Sequence, residues 1–146
     1  MPLPYENTTS GEKAYLEIEK ILSQFGCSKF GRMNEFETGQ VILQFEWQGH
    51  RAEIRASAHG YASAWLKEHP FTYRTRGSEK DYKAKALKKG QMAVPSILRD
   101  WIKGQVTAIE TGLLTFEDVF MPHMLLPNGQ RFVEAAKQHL LTTEEN

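Results

Sequence analysis

The chain has one cysteine, Cys27, in 146 residues, so no internal disulfide can form and a disulfide-stapled extracellular scaffold is excluded. It also lacks a surplus of either charge. Lys+Arg and Asp+Glu number 18 each, for a formal net charge of zero. No global field draws it to nucleic acid or to an anionic membrane, so any such binding must come from a local patch. No apolar run approaches the roughly 20 residues that cross a bilayer. The opening Met-Pro-Leu-Pro-Tyr lacks the basic and apolar regions of a signal peptide. These absences lead us to expect an intracellular, cytoplasmic chain with no membrane partner.

Common reaction signatures are missing too. Gly-x-Ser-x-Gly, the P-loop and Gly-x-Gly-x-x-Gly do not occur. His50, His59, His69, His123 and His139 show no metal-ligand spacing. Cys27 reads as a small buried thiol rather than a nucleophile. No cofactor, metal or catalytic residue is implied.

What remains is ordinary globular composition, 40% hydrophobic and 25% charged. We expect one α+β domain over residues 9–141, a flexible arm at 1–8 and a polar tail at 142–146. Thr9 with Glu12 suggests a capping box. It precedes an apolar face at Ala14, Tyr15, Ile18, Ile21, Leu22 and Phe25, which Gly26 ends. Residues 40–47 and 50–58 alternate with period two around Gln48-Gly49. That turn predicts a hairpin in which Phe45, Leu43 and Val41 oppose Ala52, Ile54 and Ala56 on the core face. Glu46 then opposes Arg51 on a charge-balanced wet face. Residues 28–36 form a poorer edge strand, giving a three-stranded antiparallel sheet.

A short helix is expected over 61–68, with Tyr61 and Trp65, and His69-Pro70 then opens a loop. Ser78 with Asp81 starts the next helix, whose apolar positions run from Tyr82 to Ile109 and stop before Gly112. One rod over 79–111 would span about 50 Å, in a domain roughly 35–40 Å across. Proline costs about 3 kcal/mol inside a helix, so we expect a kink or break at Gly90 and Pro95. A continuous rod would overhang and imply a homo-oligomer. Thr115 with Asp118 marks another capping box, and Met124-Leu125-Leu126 a brief strand. Pro127-Asn128-Gly129 is a turn. A last helix over 131–141 should face Phe132, Val133, Ala136 and Leu140 inward.

The string Ala-Ile-Glu-Thr-Gly-Leu-Leu-Thr-Phe-Glu-Asp-Val-Phe (108–120), followed by Leu-Leu-Pro-Asn-Gly (125–129), resembles an uncharacterised family of small phage and prophage proteins. The resemblance covers residues 10–130, and Pro95 departs from that family's long helix. It implies a mobile-element origin and a host-cell location, and carries over no catalytic residue. Small phage accessory proteins act on host enzymes, signals or nucleic acid, so the resemblance points to that class.

Local chemistry concentrates in Tyr73-Arg74-Thr75-Arg76-Gly77-Ser78, with Lys80, Lys83 and Lys85 following. Two guanidiniums on a loop that feeds a helix N-terminus can grip phosphate, aided by free N–H groups and the helix dipole. Phe71, Tyr73 and Trp65 are candidates to stack on a base. Against this, the lysines scatter around the helix, and Glu79 and Asp81 dilute the charge. The leading expectation is a non-enzymatic counter-defence protein that binds and sequesters a phosphate-bearing, nucleotide-type ligand through Tyr73, Arg74, Arg76, Lys80, Lys83 and Trp65. An alternative is a protein–protein inhibitor of a host enzyme, using exposed aromatics and the wet sheet face. A second alternative is a nucleic-acid binder or metal-dependent nuclease, because Glu53-Ile54-Arg55 and Glu46 lie where a nuclease core places its acidic residues. Arg is too basic for the usual Lys role there, and neither hairpin strand carries an Asp. The strand order also resembles double-stranded-RNA-binding domains, on fold-level analogy alone.

Overall fold

The structure, a computed structural model, describes residues 2–9 and 11–145. Helix α1 (Gly11–Phe25) leads into strands β1 (Lys29–Glu35), β2 (Gln40–Trp47) and β3 (His50–Ser57). Helices α2 (Ala58–Glu68) and α3 (Glu79–Glu110) follow. Then come α4 (Phe116–Phe120), a 3-10 turn (Met121–His123) and α5 (Phe132–Glu145). The three strands form one antiparallel sheet in the order β1-β2-β3. This is the α+β architecture expected from the sequence.

The hairpin forms in the expected register: Phe45 faces Ala52, Leu43 faces Ile54 and Val41 faces Ala56. Gln48 and Gly49 both have positive φ, at 48° and 81°, as the two-residue hairpin turn requires. The core face of the sheet packs on α1 and the second half of α3. Ile18, Leu22, Leu43, Ile102, Phe116 and Phe120 are fully buried there. Trp47 stacks between Phe25 and Phe116, with ring centroids 5.1 and 4.6 Å away. Trp101 meets Phe120 edge-on at 5.8 Å, and both tryptophans, partly buried, pack against the core.

Helix α3 runs unbroken through Gly90 and Pro95, contrary to the expected break. Two close approaches explain why these residues are tolerated. The backbone of α2 presses onto Gly90, where a Cβ would overlap the Ala58 carbonyl oxygen. The start of α1 lies on the Pro95 ring, and a Cβ on Gly11 would stand 3.4 Å from Pro95 Cγ. The proline is thus buried in a helix–helix contact, whose packing offsets the lost hydrogen bond.

At 32 residues, α3 is about 48 Å long, yet it does not overhang. Its first half is covered by α2, with Ala62 and Trp65 packed on Ala86 and, beside them, Leu3, Tyr61 and Tyr82. The N-terminal segment expected as an arm is docked against this layer. Tyr61 Oη donates to the Pro4 carbonyl (2.6 Å), and Tyr5 Oη donates to Asp100 (2.5 Å). The Glu6 carboxylate lies 2.8 Å from His69 Nε2, which holds the Glu6 carboxyl below its ordinary value. The length of α3 therefore gives no reason to invoke a second copy.

Several local expectations shift. Helix α1 begins at Gly11, so its cap position, residue 10, lies outside the described residues. Both oxygens of Glu12 go to Arg32 of β1 (2.6 and 2.8 Å). The third strand stops at Ser57, whose side chain accepts from Gly60 N and starts α2 three residues earlier than expected. Thr115 and Asp118 form the full reciprocal capping box. Met124 and Leu125 make only isolated bridges, to Ala52 and Arg131, rather than a strand. Helix α5 runs to Glu145, past the expected end at 141, and residue 146 lies outside the described residues. The apolar positions of α5 do not turn into a core: Phe132 is 42% and Leu140 61% exposed. This helix packs chiefly on the small 3-10 turn, which is too narrow to bury a full stripe.

Two predictions follow from this packing. Gly90→Ala should destabilise the protein by about 1–3 kcal/mol through overpacking, outweighing the ~1 kcal/mol that alanine gains in an open helix. Gly104, with nothing within 4 Å of a Cβ, should show the opposite sign on Gly104→Ala. Urea midpoints of the two variants decide this, and equal signs would refute it. The second concerns His123, whose Nδ1 is buried and has no hydrogen-bond partner among the described residues. Burial, and secondarily Arg131, hold its pKa below the ordinary 6.5. The unfolded chain then takes up a proton that the folded chain resists. Stability should be complete above about pH 6.5 and decline as pH falls below it. His123→Leu should flatten that limb of the melting-temperature curve.

Candidate functional site

Ser78 ends the loop that carries the two arginines and caps α3, accepting from Asp81 N at 3.0 Å. Gly77, just before it, has φ 85° and lets the chain turn into the helix. The loop is braced internally. Thr72 N donates to Thr75 Oγ1 (3.0 Å), and Arg74 N to Thr72 Oγ1 (3.3 Å). Arg74 Nε donates to Tyr73 Oη at 3.1 Å, and its guanidinium lies over that ring, 5.5 Å from the centroid. Tyr73 is 89% exposed, a large ring left in water beside two cations.

Among the described residues, Arg74, Arg76 and Lys80 form no ion pair. The nearest acids are otherwise placed. Glu79 pairs with Lys83 at 3.7 Å, and Asp81 follows the cap. Lys83 is therefore partly neutralised. Lys85 is drawn away over the Trp65 ring (5.9 Å), and Lys89 Nζ donates to the Glu6 carbonyl. Among the described residues, the cations of the loop and first turn of α3 with no carboxylate partner are thus Arg74, Arg76 and Lys80. Trp65 does not join them as a stacking surface. It is 5% exposed, with His69 and Tyr82 against it. Its helical position facing α3 buries it. Phe71 is half-buried against Tyr82, so Tyr73 is the open ring of the loop.

The outer face of the sheet is a polar network rather than an evenly wet surface. Glu53 is 6% exposed and both its oxygens are engaged. Gln44 Nε2 donates to one at 2.6 Å, and Arg55 Nε to the other at 2.7 Å. Arg55 also donates to Gln40 (3.1 Å) and lies 3.7 Å from Glu35. Hydrogen bonding to Glu53, above all, raises its pKa. Ile42 on this same face is buried, against the expectation that the face is wet. Glu46 faces Arg51 across the ladder, but its ion pair is with Lys29, at 3.4 Å. Glu53 thus serves as an anchor for two neighbours, and its carboxylate is not free to hold an ion. Among the described residues, no cluster of three His, Cys, Asp or Glu has metal-site geometry.

One feature lay beyond any sequence signal. A cleft of about 290 Å³ opens where the β1–β2 turn meets α1 and α3. Tyr15, Asn34, Phe36, Val41, Leu87 and Gln91 line it. They come from α1, β1, the β1–β2 turn, β2 and α3, so no spacing within one segment announces the set. The one local clue is Phe36, a large ring in a polar turn that remains 88% exposed.

Removing the Glu53 carboxylate should act on stability. Glu53→Ala leaves Gln44 and Arg55 without their shared acceptor and should cost about 2–3 kcal/mol, as for hydrogen bonds to charged groups, read as a lower urea midpoint. An unchanged midpoint would refute the anchoring role. The chain matches no family model, no curated protein and no solved structure.

Proposed function

We propose that this chain is a non-enzymatic phage accessory protein of the counter-defence type, working in the host cytoplasm. It binds and sequesters a phosphate-bearing, nucleotide-type ligand at the loop that opens α3. The observation that supports this reading most is that Arg74, Arg76 and Lys80 sit together at the start of α3 with no carboxylate partner among the described residues, on a chain whose formal net charge is zero. Guanidiniums take phosphate oxygens through paired hydrogen bonds. The exposed Tyr73 ring beside them offers a stacking face, and the start of a 32-residue helix adds the favourable end of its dipole.

A second reading, an inhibitor of a host enzyme acting through protein contact, draws on a different surface. Met121 and Phe132 flank an apolar groove, and Leu140 and Leu141 extend the wet apolar side chains along α5. Wet apolar side chains grouped in this way are characteristic of partner-binding surfaces.

Calorimetry and thermal shift with pyrophosphate and a nucleotide panel separate the two. A ligand at a hundred times its Kd should stabilise the fold by about 2.7 kcal/mol. Arg76→Ala, at an exposed position outside the core, should leave the free protein's melting temperature unchanged. It should weaken binding at least tenfold, about 1.4 kcal/mol. If no phosphate compound shifts the melting temperature, the ligand reading fails and the protein-partner reading takes its place.

A further inference from the structure

We infer that the cleft between the β1–β2 turn and α3 seats the heterocyclic base of a nucleotide whose phosphates extend to Lys80 and the Arg74–Arg76 loop. This rests on the proposed phosphate site and adds to it the class of group at the ligand's other end.

Helical geometry links the two places. Leu87 and Gln91 line the cleft. Lys80 precedes Leu87 by seven residues, which at 3.6 residues per turn places it within about 20° of the same stripe and about 10 Å further along the axis. Between them lie Ala84, a short, exposed side chain, on one flank and Lys83, paired with Glu79, on the other. Helix α2 covers a different stripe, that of Tyr82, Ala86 and Gly90, and does not block the route. Sugar and phosphates of a single nucleotide cover a distance of this order.

The lining suits a base rather than an apolar plug. Phe36 supplies open aromatic surface, while Tyr15, 9% exposed and with the Arg32 guanidinium 4.2 Å over its ring, contributes to the wall with Val41 and Leu87. The amides of Asn34 and Gln91 each carry donors and an acceptor. Neither makes a side-chain hydrogen bond among the described residues. A base edge presents the complementary mixture. The volume, about 290 Å³, is near the lower end for small-ligand sites and holds the ring of a ligand, not all of it. Phe36 at the mouth is 88% exposed and leaves an open ring face. The charged residue of the lining is Glu35, which lies 3.7 Å from Arg55, so recognition of phosphate is left to the loop.

The test is isothermal titration of the whole chain with pyrophosphate and with ADP, GDP, CDP and UDP, in the native protein and three exposed-site variants. At least one nucleoside diphosphate should bind tenfold or more tightly than pyrophosphate. Phe36→Ala and Gln91→Leu should remove that advantage and leave pyrophosphate affinity intact, whereas Arg76→Ala should weaken both kinds of ligand. Circular dichroism checks that each variant is folded. Should pyrophosphate bind as tightly as all four nucleotides, or the advantage survive both cleft variants, the base seat is overturned while the phosphate site stands. Failure of pyrophosphate and all four nucleotides to bind would remove both.

Discussion

Helix α3 must be covered along 32 residues by a chain with only one small sheet to offer. Left bare, its first half would expose Tyr82, Ala86 and Leu87 to water. The fold divides the task. Helix α1 and the sheet take the second half, where Val94, Leu98, Ile102 and Val106 are buried. Helix α2, leaving β3 directly through the Ser57 cap, takes the first. The junction of these two layers is the contact of the Ala58 backbone with Gly90, a distance only glycine permits. Gly90 and Pro95, poor helix formers on propensity, are residues against which α2 and the start of α1 pack.

The same arrangement leaves one face of α3's first half open. Helix α2 lies to one side of it, and α1 and the sheet end near Gln91. The open stripe runs between the cleft beside Phe36 and the arginine loop. Both candidate binding features thus owe their positions to where the covering layers stop. Lys85 lies over the Trp65 ring of α2 and Lys89 donates to the N-terminal segment, whereas Arg74, Arg76 and Lys80 lie at the loop that opens α3.

The C-terminal part behaves differently. Capping and turn signals there operate as written: the Thr115–Asp118 box forms, and Asn128 Oδ1 accepts from Gln130 N in the following turn. Yet α5 packs chiefly on the 3-10 turn, and Phe132, Leu140 and Leu141 stay wet. Periodicity identified a helix; it could not supply the surface against which that helix would pack.

Read alone, the sequence determined the elements whose causes are local. These are the amphipathic face of α1, the hairpin with its register, the caps at Ser78 and Thr115, and the stop at Gly112. Turn chemistry, capping and period-two alternation act over a few residues and need no distant partner. It also located the arginine loop, because charge clustering is linear. Only the tertiary structure decided that α3 stays whole, that Trp65 is core rather than platform, that Glu53 is an anchor, and that Tyr15, Asn34, Phe36 and Gln91 share a cleft. Each depends on which backbone approaches which from far along the chain, and no spacing within one segment encodes that approach.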